Sequence, residues 1–245
     1  MITHDNGMNL GHIHFSSIVW GHITIVPRVE KIISPPKHCE HLELLCSVYK
    51  NDDVINAAQF FQNLTESEHV NLFKVLLIEV IAEVSIKKHT ISINTPIQVV
   101  RNFNNYLPIL KANKQQRIAF ELLECDIQGL GGYEYDILNN LAKLPNISLW
   151  LDDFGNNQAN FDIVLSKKIN LDAIKISKEL MWALVDSDVA FLRALLIYLK
   201  QDHTVIVEGV ETRQQVDFLS TIDGIKIQGF YFNTRPLMIQ NTIKT

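Results

Sequence analysis

Residues 171–227 read LDAIKISKELMWALVDSDVAFLRALLIYLKQDHTVIVEGVETRQQVDFLSTIDGIKI, a stretch that switches repeatedly between two hydrophobic periods. Leu171 to Ile176 is a short apolar and β-branched run, which reads as a strand. Lys178 to about Lys200 carries apolar residues at helical spacing. Thr204 to Val207 is again β-branched, Thr212 to Leu219 is helical, and Ile225 to Ile227 is a last strand. Strands separated by helices of this length run parallel, because a tight hairpin can join only antiparallel ones.

The same rhythm extends towards the N-terminus. Ile147 to Leu151 is a strand, followed by a helix through the Phe161 region. Arg117 to Leu123 is a strand, then Gly129, Gly131 and Gly132 open a loop before a helix from Tyr133 to Leu144, ended by Pro145. Thr90 to Asn94 is a strand, and Pro96 begins a helix towards Lys111. A capping box, Thr65-Glu-Ser-Glu68, precedes Val70, Phe73, Leu77, Val80 and Val84 at helical spacing. Two strands open the series, Ile23 to Val29 and His41 to Tyr49, joined through Pro35 and Pro36. A closed (β/α)8 barrel typically takes ~250 residues and fits this α/β pattern best. A doubly wound open sheet is the alternative, but no GxGxxG opens a first strand–helix turn. We therefore expect a barrel domain over residues 21–245 after an N-terminal extension of residues 1–20.

Composition supports a full core and narrows the partners. The 245 residues are 47% hydrophobic and 20% charged, with 10 Gly and 7 Pro, which excludes a disordered or collagen-like chain. Lys and Arg number 22 against 27 Asp and Glu, a net charge of −5. An acid surplus argues against a nucleic acid polymer as partner, though not against a small phosphate ligand held through metal ions. Three cysteines make no disulfide framework and point to a reducing compartment. The start lacks a basic segment leading into an apolar one, and the run Val75 to Val84 is interrupted by Glu79 and Glu83. No secretion signal or membrane span is expected, and the cytoplasm is the expected location.

What ends the strands is informative. Strands buried on both faces should be nearly pure Val, Ile and Leu. Here Glu43 lies within its strand, Asn94 and Glu121 fall at strand ends, and Asp152 with Asp153 closes the next. Lys175, Glu208 and Gln228 complete the series. Taken singly, each has an ordinary reading: a helix N-cap or solvated acid, a snorkelling lysine, a surface amide. In a parallel barrel, however, all the C-terminal strand ends open onto one face, where catalysis occurs. Two carboxylates ~4 Å apart repel by ~4 kcal/mol at an effective dielectric of 20, so this many need protons or a cation. Oxygen ligands without Cys or His select a hard cation, Mg²⁺, Mn²⁺ or Ca²⁺. The set is large enough for two ions, an arrangement suited to phosphodiester hydrolysis.

Several of these segments carry a resemblance. Leu151-Asp-Asp-Phe-Gly155, Ile174-Lys-Ile176, Val207-Glu-Gly-Val-Glu-Thr212 and Gln228-Gly229 resemble, in order and spacing, the EAL-domain family of bacterial cyclic di-GMP phosphodiesterases. Upstream, Glu43-Leu-Leu45 stands at the signature position, Ile93-Asn94-Thr95 at the Asn-containing strand end, and Glu121-Leu-Leu-Glu124 at the family's ExxE. The resemblance runs from about Ile23 and implies a modified TIM barrel whose first strand is antiparallel. It implies Mg²⁺ or Mn²⁺ held by Glu43, Asn94, Glu121, Asp152, Asp153 and Glu208. It casts Glu43, Lys175, Glu208 and Gln228 as catalytic, with Lys175 assisting the attacking water and Gln228 holding the metal-bound water. Glu124 and Glu211 match acids that support the loop after the Asp pair, and Ser47, Asn156 and Arg235 fall at substrate-binding positions. The implied reaction opens cyclic di-GMP to linear pGpG, with Ca²⁺ inhibitory. Many members dimerise next to that loop, so a homodimer is an implied assembly.

The sequence departs from the family at substrate contacts. Ser47 stands where the family has a phosphate-gripping Arg, and Val26-Pro27 where it has Gln-Pro. The loop after the Asp pair reads Phe154-Gly-Asn-Asn157, in which both Asn residues tolerate left-handed backbone. Three functions follow as expectations. The first is a metal-dependent phosphodiesterase, the second a cyclic di-GMP receptor signalling to a protein partner. The third is an interaction protein that uses only the barrel surface.

Overall fold

A computed structural model describes residues 13, 15–35, 38–113, 115–156 and 161–232. Its ten strands are β1 (Ile18–Trp20), β2 (Ile23–Ser34), β3 (His38–Lys50), β4 (Asp53–Ile55), β5 (Thr90–Asn94), β6 (Arg117–Leu123), β7 (Ile147–Phe154), β8 (Ala173–Ile176), β9 (Thr204–Val207) and β10 (Lys226–Ile227). They lie in the order β1-β2-β10-β9-β8-β7-β6-β5-β3-β4, and β2 also pairs with β3, so β2, β3 and β5–β10 close into an eight-stranded barrel. β2 is antiparallel to both of its barrel neighbours, whereas the other barrel pairings are parallel. The barrel with an antiparallel first strand is thus the observed fold.

Strand periodicity sorts the side chains into two environments. One face of each strand points outward and packs under the helices: Leu42 and Leu44, Phe120 and Leu122, Leu149 and Leu151, and Val205 and Val207 all belong to the main core. The other face points into the barrel, where Ile32, Ala119, Trp150, Ala173 and Ile206 form a separate small cluster. The His41 ring lies against Trp150 there, with centroids 5.3 Å apart. Two residues further along each parallel strand, the next inward position comes one level higher, at the C-terminal mouth.

Sequence expectations are met at β5, β6 and β9, whose limits coincide with the predicted runs. β2 and β3 are longer than expected, because they pair with each other over most of their length. Residues 18–20, within the stretch read as an extension, form β1 against β2. The helix after the Thr65 capping box is Glu66–Ala82, so Val84 lies beyond its end and is exposed.

Two predicted helices are broken. The one expected from Pro96 towards Lys111 becomes Ile97–Arg101, a 3₁₀ turn Phe103–Asn105, and Leu107–Ala112. Pro108 explains the restart, since a residue without an N–H fits the first turn of a new helix rather than the middle of a long one. The one expected from Lys178 to Lys200 divides into Lys178–Ser187 and Val189–Leu199. Asp188 leaves helical geometry and caps the second half, accepting from the Phe191 N–H at 2.9 Å. Among the described residues, no helix is long and apolar enough to cross a membrane.

Candidate active site

One level above the small inner cluster, the inward positions turn polar. Ala119 is followed by Glu121, Trp150 by Asp152, Ala173 by Lys175, Ile206 by Glu208, and His41 by Glu43, each two residues further on. Period-2 geometry therefore lifts five charged side chains from five strands to a common height.

Lys175 is the hub. Its Nζ lies 2.9 Å from Asp152 Oδ1, 2.9 Å from Glu208 Oε1, 3.2 Å from Glu121 Oε1 and 3.3 Å from Glu43 Oε2. Gln228 donates its amide to Glu43, and Asn94 Nδ2 approaches Glu43 Oε1 at 3.4 Å. Lys175 is 1% exposed and Glu121 1% exposed, so these charges sit almost wholly out of water.

Asp153 reaches this mouth by a local irregularity. Leu151 pairs with Ile174 and Phe154 with Ile176, so Asp152 and Asp153 together face the single residue Lys175. Strict alternation would turn Asp153 outward, into the apolar layer that Phe154 fills. The bulge absorbs the extra residue at Asp153, whose φ is 57°. A non-glycine residue held in that region carries strain that tends to persist at functional sites, and Asp tolerates it better than most. Gly155 follows at φ 85°, and its N–H donates to Glu124 Oε2 at 2.8 Å. Glu124 thus holds the loop after the Asp pair. Asn156 closes the turn, with its backbone N–H on the Asp153 carbonyl and its Nδ2 3.3 Å from Asp153 Oδ2.

The remaining candidates are less central. The Glu211 N–H donates to Gln215 at the start of helix Arg213–Leu219, and its residue is exposed. Ser47 lies on β3 opposite Val26, half-buried, two levels above Glu43. Arg235 falls outside the described residues. Sequence reading missed Glu30, which is paired with Glu43 across β2 and β3 on the inward face. Extending the polar alternation of Arg28 and Glu30 past Val29 would have found it.

Electrostatics follow from burial. Burial pushes the Glu121 carboxyl well above its ordinary range; the charges of Glu43 and Asp152 add to this, and Lys175 opposes it. Glu208 rises from 4.5 to about 8, chiefly through burial, against the pull of Lys175. Asp153 is raised by burial and by the neighbouring Asp152 charge. Burial alone would push the Lys175 ammonium down, but Asp152, Glu121, Glu208 and Glu43 outweigh it and hold it well above 10.5. The four carboxylates thus favour the charged form of Lys175.

The donor set suits a hard divalent cation. Among the described residues, Glu121 Oε1 and Asp152 Oδ1 receive the lysine charge without an aligned hydrogen bond, and buried Glu121 Oε2 and Gln228 Oε1 have no hydrogen-bond partner. Buried oxygens without donors are costly, and a cation satisfies them. Among the described residues, no three acid, His or Cys side chains already stand in metal-holding geometry, since Lys175 lies between the acids. A cavity of about 280 Å³ opens instead at the opposite end, lined by His41, Arg117, Trp150 and Asp172 among others. Asp172 is the one acid among its described lining residues, and it accepts the Leu149 N–H.

Comparison with known proteins agrees with the fold. Residues 32–235 match the family model of the EAL domain, and the chain belongs to that family. Cyclic di-GMP phosphodiesterase TpdA of Vibrio parahaemolyticus is 30% identical over 190 residues, which cover 73% of this chain and 32% of TpdA. Cyclic di-GMP phosphodiesterase PdeH of Escherichia coli is 36% identical over 95 residues, 38% of this chain and 36% of PdeH. The chain thus matches about a third of the length of these two relatives. The Bacillus subtilis YkuI protein, solved with cyclic di-GMP and calcium, superposes with a TM-score of 0.71 at 17% identity, covering 89% of this chain and 57% of that one.

Proposed function

We propose that this chain hydrolyses cyclic di-GMP to linear pGpG with two divalent cations, Mg²⁺ or Mn²⁺, bound at the barrel mouth. The observation that carries the reading is the buried group of carboxylates from separate strands around Lys175, several of whose oxygens lack donors. Glu43, Asn94, Glu121, Asp152, Asp153 and Glu208 would hold the ions. When bound, such ions would activate a water and neutralise charge on the phosphate under attack and on the departing ribose oxygen.

The chain's own residues do the rest. Lys175, set among the acids, orients the water and stabilises negative charge as it develops. Gln228, joined to Glu43 through its amide, keeps its buried Oε1 available to a water hydrogen. Glu124 fixes the loop that carries Asp153 by accepting the Gly155 N–H.

The names of TpdA and PdeH support this substrate, as does the ligand in the YkuI complex. The test is hydrolysis of cyclic di-GMP by purified protein with Mn²⁺, followed by chromatography. Glu43→Ala and Lys175→Ala should each lower kcat by more than ~100-fold, a scale usual for groups acting on the transition state. Glu43→Ala should also weaken Mn²⁺ binding, whereas Lys175→Ala, which removes a cation from among the same acids, should not weaken it. A wild-type protein that binds Mn²⁺ yet yields no linear product would refute the enzyme.

A second reading, a cyclic di-GMP receptor acting through a protein partner, draws on neutral Ser47 and Val26 at the rim of β3 and β2. Tight dinucleotide binding without turnover would favour it.

A further inference from the structure

The ligand proposed above carries two phosphodiester charges, but the mouth that receives it is lined with acids. Glu30, Glu43, Glu121, Asp152, Asp153 and Glu208 all belong to it, and cations bound among them would neutralise only their own level. A phosphate lying further out needs a positive partner from the protein. Lys175 cannot serve, because it is enclosed by four carboxylates at 1% exposure. Two other cations stand on inward strand positions at the opposite end of the barrel. Arg117 donates to the Lys88 carbonyl, and Lys226 is held by Glu40 and His41.

Arg28 is differently situated. Along β2, Ile25, Pro27 and Val29 are buried on the outward face, while Val26, Arg28 and Glu30 are half-buried on the inward one. β2 runs antiparallel, so passing from Ile32 through Glu30 to Arg28 climbs from the inner cluster, past the acids, towards solvent. Arg28 stands roughly 7 Å above Glu30 along the strand, since two residues rise by about that much. Its cross-strand partner is apolar Leu45, next to the Val26–Ser47 pair. The guanidinium makes no ion pair with any described residue. It is an arginine one level above the acids, with no ion pair among the described residues.

We propose that Arg28 grips the outer phosphate of the dinucleotide, so that the phosphate contact comes from β2 rather than from position 47 of β3. A planar guanidinium meets two phosphate oxygens at once, which an ammonium does not. The proposal rests on the dinucleotide reading of the site, and its test separates the two.

The full chain is titrated with cyclic di-GMP in Ca²⁺ by calorimetry, and hydrolysis is followed in Mn²⁺. Arg28→Gln should weaken dinucleotide binding and raise KM by roughly tenfold to a hundredfold, the usual value of a charged hydrogen-bonded contact. Mn²⁺ affinity and Tm should not move, and Arg28→Lys should recover only part of the loss. Adding Ser47→Arg to Arg28→Gln should lower KM again, because it returns a guanidinium to the same face from the adjacent strand. If Arg28→Gln binds and turns over like the wild type, Arg28 is not the contact and the enzyme reading stands. If Arg28→Gln loses Mn²⁺ affinity or melts earlier in proportion, its role is structural and the proposal fails. A wild type that neither binds nor cleaves the dinucleotide overturns the function itself.

Discussion

A Cβ at Gly229 would stand 2.3 Å from the Val210 carbonyl oxygen and 2.4 Å from its nitrogen, at a φ of 154°. Both obstacles are backbone, so neither can rotate away. Gly229 adjoins Gln228, and Val210 lies two residues beyond Glu208, so any relief must displace two side chains of the site. Gly229→Ala should therefore cost ~2–4 kcal/mol, within the range of strained backbone and steric overlap, and should reduce turnover with it. Urea unfolding of the purified variant measures the first and product formation the second. An alanine variant with wild-type stability would show that this close approach relaxes freely. Most of the site was legible residue by residue: Glu43, Asn94, Glu121, Asp152, Lys175, Glu208 and Gln228 stand out because polar groups are unexpected in doubly buried strands. Glu30 was not, since the sequence reading ended its strand at Val29, and only pairing with β3 carries β2 on to Ser34.

At the scale of elements, the bulge in β7 decides how many acids the mouth receives. The pair Asp152–Asp153 was visible in sequence, but the irregularity that brings both beside Lys175 was not, because bulges depend on the register of the neighbouring strand. Glu124 is the brace of that irregularity, buried and bonded to the Gly155 N–H. Glu124→Ala should destabilise the fold by ~1–3 kcal/mol, the cost of a buried donor left unmet. It should also weaken Mn²⁺ binding, although Glu124 holds no ion in the proposed set. Calorimetric Mn²⁺ titration distinguishes this from simple loss of stability, because a purely structural brace would lower Tm and leave affinity unchanged. The helices show the reverse limit. Helical spacing ran unbroken from Lys178 to Lys200, yet Asp188 divides it, a local capping preference that outweighed the periodicity.

For the whole molecule, the gathered acids link stability to pH and to cations. Glu208 titrates near 8 in the fold against 4.5 when unfolded, and Glu121 is shifted in the same direction. The folded state thus binds protons that the unfolded state has released. This contribution is fully present below about 4.5 and is lost as pH rises through about 8. Tm of the cation-free protein should accordingly fall from pH 5 to pH 8. Mn²⁺ binds the deprotonated carboxylates, so it should raise Tm more at pH 8 than at pH 5 and release protons on binding at pH 7. Calorimetry in two buffers of different ionisation enthalpy counts those protons. A Tm increment independent of pH, with no proton release, would mean that the ions bind elsewhere.

The order of strands and helices, the buried acids that interrupt them and the family to which they belong were all written in the sequence, because period and composition are local properties of a chain. The register of β2 on β3, the bulge at Asp153 and the position of Arg28 above the acids were decided only by the tertiary structure. Each depends on which residue a neighbouring strand presents, and that register is fixed when the two faces of the sheet find their separate environments.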